Sequence, residues 1–180
     1  MLTIRVAMTE VFNDDTQMFE VGESFELELE HSLASVSKWE QSFEKPFLGP
    51  DDKTLEETLA YIMLMSVDPK TPPEVFAKLS RENFEEINQY INAKMTATWF
   101  REDKNQPPSR EIITAEVVYH WMIHYNVWLE AEHWHLNKLL TLIRVCNEKN
   151  KPPKKMNRRQ QIAERQRLNA ERLAQGNYRG

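Results

Sequence analysis

The spacing of apolar residues changes once along this chain, at Ser32, and that change constrains the fold more than any other feature. Before it, Leu2, Ile4 and Val6 alternate with polar residues, as do Phe25, Leu27 and Leu29; after it, Leu33, Val36, Trp39 and Phe43 recur at steps of three and four. Period two places side chains on alternate faces of a strand, and a step of three to four lines them along one side of a helix. The segments NDDTQ and VGES between the two alternating runs carry turn chemistry. Residues 1–31 are therefore expected to form a small β-hairpin or meander. A β element of this size is marginal alone, so it must pack on the helical part that follows.

Residues 32–148 read as a helical core domain. Pro46 marks the exit of the first helix and PFLGP a loop. Thr54 with Glu57, and Thr71 with Glu74, have the spacing of capping boxes, the second with Pro72 at the favoured first helical position. Ser80 caps a helix with the stripe Phe84, Ile87, Ile91 and Met95. The polar linker REDKNQPPS leads to a cap at Ser109 and to two longer helices, about Arg110–Tyr125 and Leu129–Asn147. The break KNKPPKKM then precedes RRQQIAERQRLNAERLAQG, rich in helix formers but with little to bury, which reads as an arm, 149–180, ordered when it docks. The fold class is mainly α, a helical-bundle-like domain with a small N-terminal β-hairpin or meander and a basic C-terminal helical arm.

A chain of 180 residues is long enough to bury a core without covalent or metal staples. Its one cysteine, Cys146, excludes an internal disulfide and a multi-cysteine zinc site, and fits a reducing compartment. With no secretory leader pattern and no apolar run near the ~20 residues that span a bilayer, a cytosolic protein without membrane contact is expected. The formal net charge of −5 is unevenly distributed: residues 149–180 hold ten Lys/Arg against two Glu, and the preceding 148 hold 13 basic and 26 acidic groups. An acidic body with a basic arm suggests self-association or an acidic partner.

The histidines raise the question of a metal. On the helix from Arg110, Glu116, His120 and His124 fall on one line, and zinc accepts such nitrogen and oxygen donors. The same spacing serves a solvent-facing stripe on a helix that is apolar elsewhere, which is the reading adopted. Treated as one helix, Leu129–Asn147 puts His133 on the apolar line of Leu129, Leu136, Leu140 and Ile143, a place for a core or interface histidine. His135 then lies about 160° from Glu130, too far around to share an ion. Glu130 and His133 are spaced to share one, but a carboxylate-bridged metal pair needs further carboxylates from partner helices. No metal, cofactor or catalytic residue is expected. The four glycines form no phosphate loop, no Gly-x-Ser-x-Gly elbow exists, and Cys146 in an apolar helix reads as an inert thiol. Most of the five tryptophans should lie in the core, with one or two left for a partner.

The basic arm is the remaining functional feature, with Lys154, Lys155, Arg158, Arg159, Arg165, Arg167 and Arg172 as candidate partner-binding residues. Its charges are spread around the helix and it lacks an aromatic residue before Tyr178, so nucleic acid is disfavoured as the partner.

The phrases SKWEQSFEKPFLG, INAKMTATWF, SREIITAEVVYHWM, EHWHLNKLLTLIRVCNEKNKPPKKM and LNAERLAQGNYRG, spanning about Trp39 to Gly180, resemble a family of tailed-phage and prophage proteins from the tail gene module. The role the resemblance implies is that of a tail assembly chaperone. Such a protein is not an enzyme: it binds the long, helical tape-measure protein in the host cytoplasm, keeps it soluble while the tail tube polymerises, and is absent from the finished particle. The tail tube protein and a second copy of the chain are further partners in that picture. A structural protein of the virion tail or neck is the alternative, and a metal-dependent enzyme using Glu116, His120 and His124 the second alternative.

Overall fold

The structure is a computed structural model that describes residues 1–14, 17–100, 112–151 and 158–176. Helices predominate among these residues, behind a small antiparallel β element. The chain divides into two compact units, 1–146 and 147–180.

The β element is one long hairpin in two parts. β1 (Leu2–Ala7) pairs with β4 (Ser24–Leu29), and β2 (Glu10–Asn13) pairs with β3 (Met18–Val21). The register runs through both ladders unbroken, from Leu2 opposite Leu29 to Asn13 opposite Met18. Between the ladders the N–H groups of Met8 and Thr9 both donate to the Glu23 carbonyl, and the Gly22 N–H donates to the Thr9 carbonyl. A Cβ at Gly22 would stand 2.7 Å from Thr9 Oγ1, which itself accepts from the Glu23 N–H, so this close approach needs glycine.

Seven α-helices follow among the described residues: α1 (Leu33–Phe43), α2 (Leu55–Leu64), α3 (Pro73–Ala77), α4 (Arg81–Asn92), α5 (Ala115–His124), α6 (Leu136–Asn150) and α7 (Arg158–Gly176). Two begin where the sequence places a cap, at Thr54 and Ser80, and a third cap forms at Ser32, where the pattern turns helical. Ser32 accepts from the Ser35 N–H, Thr54 from Glu57 and Ser80 from Asn83, each reciprocated by the third residue's side chain. The box expected at Thr71 and Glu74 does not form. Thr71 Oγ1 instead donates to the Asp68 carbonyl inside a turn, and α3 starts after Pro72 with no side-chain cap. Met95 leaves the expected stripe because α4 ends at Asn92, and Met95 is exposed at φ 50°. The cap expected at Ser109 lies outside the described residues.

The core forms where the inner face of β1 and β4 meets the helices. Ile4, Val6, Leu27 and Leu29 are buried with Leu33, Val36 and Trp39 of α1, Ile62 of α2, Ile87 of α4, Val118 and Met122 of α5, and Leu136, Leu139 and Ile143 of α6. Trp39 donates from Nε1 to the Glu57 carbonyl at 2.9 Å, which satisfies its one polar atom as it is buried. The strands also reach the helices through their backbones. Glu30 N–H bonds to the Met65 carbonyl and Val67 N–H to the Glu28 carbonyl, while Asn83 Nδ2 donates to the Arg5 carbonyl.

Candidate functional site

The histidine-rich stretch resolves into three separate environments. α5 buries Ala115, Val118 and Met122 along one face only. Val117, Tyr119 and Trp121 are half-buried and Ile123 is exposed, so the helix is less enclosed than its apolar composition suggests. Glu116, His120 and His124 are all exposed, in agreement with a solvent-facing stripe. The two imidazoles stack with centroids 6.4 Å apart. Hydrogen bonds from its own backbone N–H and from the Thr114 side chain hold the Glu116 carboxyl below the usual carboxylate value. It serves the open N–H groups at the start of α5 rather than an ion. Among the described residues, no three His, Cys, Asp or Glu side chains are placed to hold a metal ion.

The single helix expected over Leu129–Asn147 is broken. Leu129–His133 is a 3₁₀ turn, Trp134 is extended, and α6 begins only at Leu136. The cause is tertiary: Ser32 and His135 form an isolated antiparallel bridge, and the Leu136 N–H donates to the His31 carbonyl. The break turns Leu129 and His133 out of the core. His133 is exposed and faces Glu30 at 3.1 Å and Glu132 at 3.7 Å, which corrects its expected place on an apolar line. Glu132 is also committed to Tyr119, whose hydroxyl donates to it at 2.6 Å.

His135 instead goes inside and meets His31, which the sequence did not single out. Their rings lie edge to face at 5.0 Å. His135 Nε2 is 2.9 Å from the Tyr90 carbonyl, so it must carry the proton, and Nδ1 accepts from the Asn137 N–H at 3.3 Å. Both nitrogens are used, which leaves no lone pair for a metal. His31 Nδ1 is 2.5 Å from the Tyr61 hydroxyl. Ser35 Oγ, 3.4 Å from that hydroxyl, gives its own proton to the Ser32 carbonyl, so Tyr61 is left to donate, with His31 the nearer acceptor. Burial, with His135 alongside, lowers the His31 pKa from 6.5 to about 4. Burial also lowers that of His135, against the raising effect of its bond to Tyr90. Both are neutral at pH 7 and act as structural hydrogen-bonding groups. The Tyr90 ring packs edge to face on His135, and burial raises the pKa of its hydroxyl against the lowering effect of the His31 backbone.

The buried carboxylates are structural too. Glu40 accepts from the Phe47 N–H through Oε1 and from the Ala115 N–H through Oε2, each at 2.7 Å. One side chain of α1 thereby ties down the loop after it and the start of α5. Glu57 closes its own capping box and meets Lys45 at 2.5 Å. A cleft of about 350 Å³ lies between α6 and the segment 94–100, with Arg144 stacked 4.2 Å from the Phe100 ring. Among the described residues its charged groups, Lys94 and Arg144, are both cations, so these offer neither a general base nor a metal-binding carboxylate.

What the chain does present is surface. Of the tryptophans, Trp39 is buried, Trp121 and Trp134 are half-buried against the core, and Trp99 and Trp128 are exposed. Of the arm residues, Lys154 and Lys155 lie outside the described residues, and Arg158 and Arg159 lie in the first turn of α7. Arg165, Arg167 and Arg172 are exposed, with Arg167 3.3 Å from Glu171 one turn on. The second half of the hairpin is also exposed and apolar, through Val11, Phe12, Met18, Phe19 and Val21. Its signal in the sequence is the pair VF and MF around a polar turn, legible as strand but silent about exposure. No helix among the described residues is long and apolar enough to cross a membrane. Comparison of the chain with protein-family models, with curated proteins and with solved structures finds no match in any of the three.

Proposed function

We propose that this chain is a non-catalytic assembly factor of a phage tail, which binds the tape-measure protein while the tail tube forms around it. The observation that supports this reading is α7. It is a nineteen-residue helix whose described side chains between Ile162 and Arg172 are all exposed save half-buried Glu164. A helix of this length with little to bury gains most of its stability from whatever it docks on. Its exposed Arg165, Arg167 and Arg172, with Arg158, Arg159, Lys154 and Lys155 before them in the sequence, suit a partner carrying carboxylates. The resemblance to tail-module proteins supplies the client.

The role is tested by quantitative mass spectrometry of infected-cell lysate and purified particles. Abundance in lysate with absence from particles is expected, and a fixed copy number in particles would make the chain a virion component instead. Deleting residues 154–180 is expected to abolish co-purification with the tape-measure protein while the remaining chain keeps its cooperative unfolding. Retained co-purification would remove the arm from the binding role.

A further inference from the structure

The distal part of the hairpin has the composition of an interior and the exposure of a surface. In the shared register Phe12 stands opposite Phe19 and Glu10 opposite Val21, so Phe12, Phe19 and Val21 occupy one face. The parity is that of the inner face of β1 and β4, where Ile4 opposes Leu27 and Val6 opposes Phe25. The first half of this face is covered by helices. On the second half Phe19 is 69%, Val21 59% and Phe12 44% exposed, and Phe12 packs edge to face on its cross-strand neighbour at 5.1 Å. Contiguous exposed apolar side chains of this kind mark interaction surfaces.

The charge around the face says what covers it. Residues 1–30 contain eight carboxylates and one cation, Arg5. Glu10 lies on the apolar face itself, and exposed Glu23 and Asp14 lie beyond its two ends. A second hairpin would bring the same carboxylates against these, which opposes pairing of two copies through this face. The chain's own basic helix fits poorly as well: its described large exposed apolar residues, Ile162 and Leu168, are six apart, about 120° around the axis, and make no single stripe. A strip of four strand residues is about 13 Å long, the length of two to three helical turns.

We propose that the β2–β3 ribbon is the docking surface for an amphipathic basic helix of another protein, with its apolar stripe on Phe12, Phe19 and Val21 and its Lys/Arg residues against Glu10 and Glu23. The inference stands apart from the tail-assembly reading, because it rests on the ribbon alone and names no client.

The test measures fluorescence anisotropy of a labelled eighteen-residue helical peptide, with leucines at steps of three and four and flanking lysines, against the full chain. Two companion peptides replace the lysines by glutamate or the leucines by glutamine. Only the original peptide is expected to bind appreciably, and Phe12→Ser/Phe19→Ser should weaken it at least tenfold without moving the urea midpoint. Glu10→Lys/Glu23→Lys, which leaves the apolar face intact, should shift preference toward the glutamate peptide. Unchanged affinity in the serine variant would overturn the proposal, as would equal binding of the lysine and glutamate peptides by the native chain. Sedimentation showing a dimer that Phe12→Ser/Phe19→Ser dissociates would assign the face to a second copy and overturn it too.

Discussion

The two halves of the N-terminal hairpin share a register, an alternation and a strand composition, yet they have opposite fates. In β1 and β4 the inward residues Ile4, Val6, Leu27 and Leu29 are buried, and in β2 and β3 the equivalent Phe12, Phe19 and Val21 face solvent. A strand's pattern states which residues share a face, and the elements stacked on that face decide whether it becomes core. α4 packs on β1, and the inward residues of the first half share one core with side chains of α1, α2, α5 and α6. The junction at Thr9 and Gly22 is where cover ends.

The largest expected effect separates the halves directly. Leu27→Ala removes a fully buried side chain and should cost about 2–5 kcal/mol, whereas Phe19→Ala, larger in volume but exposed, should change stability by about 0.5 kcal/mol or less. Equal shifts in the denaturant midpoint would show that the distal face is covered in solution.

The second effect acts on the end of the covered half, where β4 runs through Glu30 into His31. The folded chain holds His31 neutral down to about pH 4, while the unfolded chain takes up the proton near 6.5. The unfolded state thus binds more protons in that window, so stability is full above pH 6.5 and falls as the pH drops toward 4. The depression corresponds to about 3 kcal/mol. Urea titrations at pH 7.5, 6.0 and 4.5 measure it, with His31→Gln expected to flatten the slope between 6.5 and 4. An unchanged slope in that variant would assign the pH response to other groups.

The smallest effect is at the junction. Gly22→Val would drive its Cβ into Thr9 Oγ1 and the Val11 methyl, and should cost about 1–2 kcal/mol or separate the unfolding of the two halves. Hydrogen exchange distinguishes the two. Protection lost only in β2 and β3 would confirm that the halves are stabilised independently, and protection lost throughout would join them.

Much of this architecture is legible in local sequence. Thr54 with Glu57, and Ser80, cap helices as read, because a cap needs only neighbours along the chain. The alternation of Leu2 to Val6 and Phe25 to Leu29 is likewise local and gives a hairpin. The exposed line of Glu116, His120 and His124 follows from helical spacing alone. Thr71 misleads because Asp68 offers its hydroxyl a turn instead of a cap.

What the sequence could not decide depends on groups far apart in the chain. The helical pattern over Leu129–Asn147 breaks at His135 because Ser32, about a hundred residues earlier, pairs with its backbone. The bridge and the His31–Leu136 hydrogen bond, with the burial they bring, outweigh helix propensity there. That single tertiary event exposes His133, buries His135 beside His31 and ends the apolar line on which a metal or core reading of the stretch depends. The hairpin makes the same point at its two ends: local alternation marked Leu2–Val6 and Phe25–Leu29 as strands, and only the tertiary structure extended the register through β2 and β3 and left half of the shared face core and half surface.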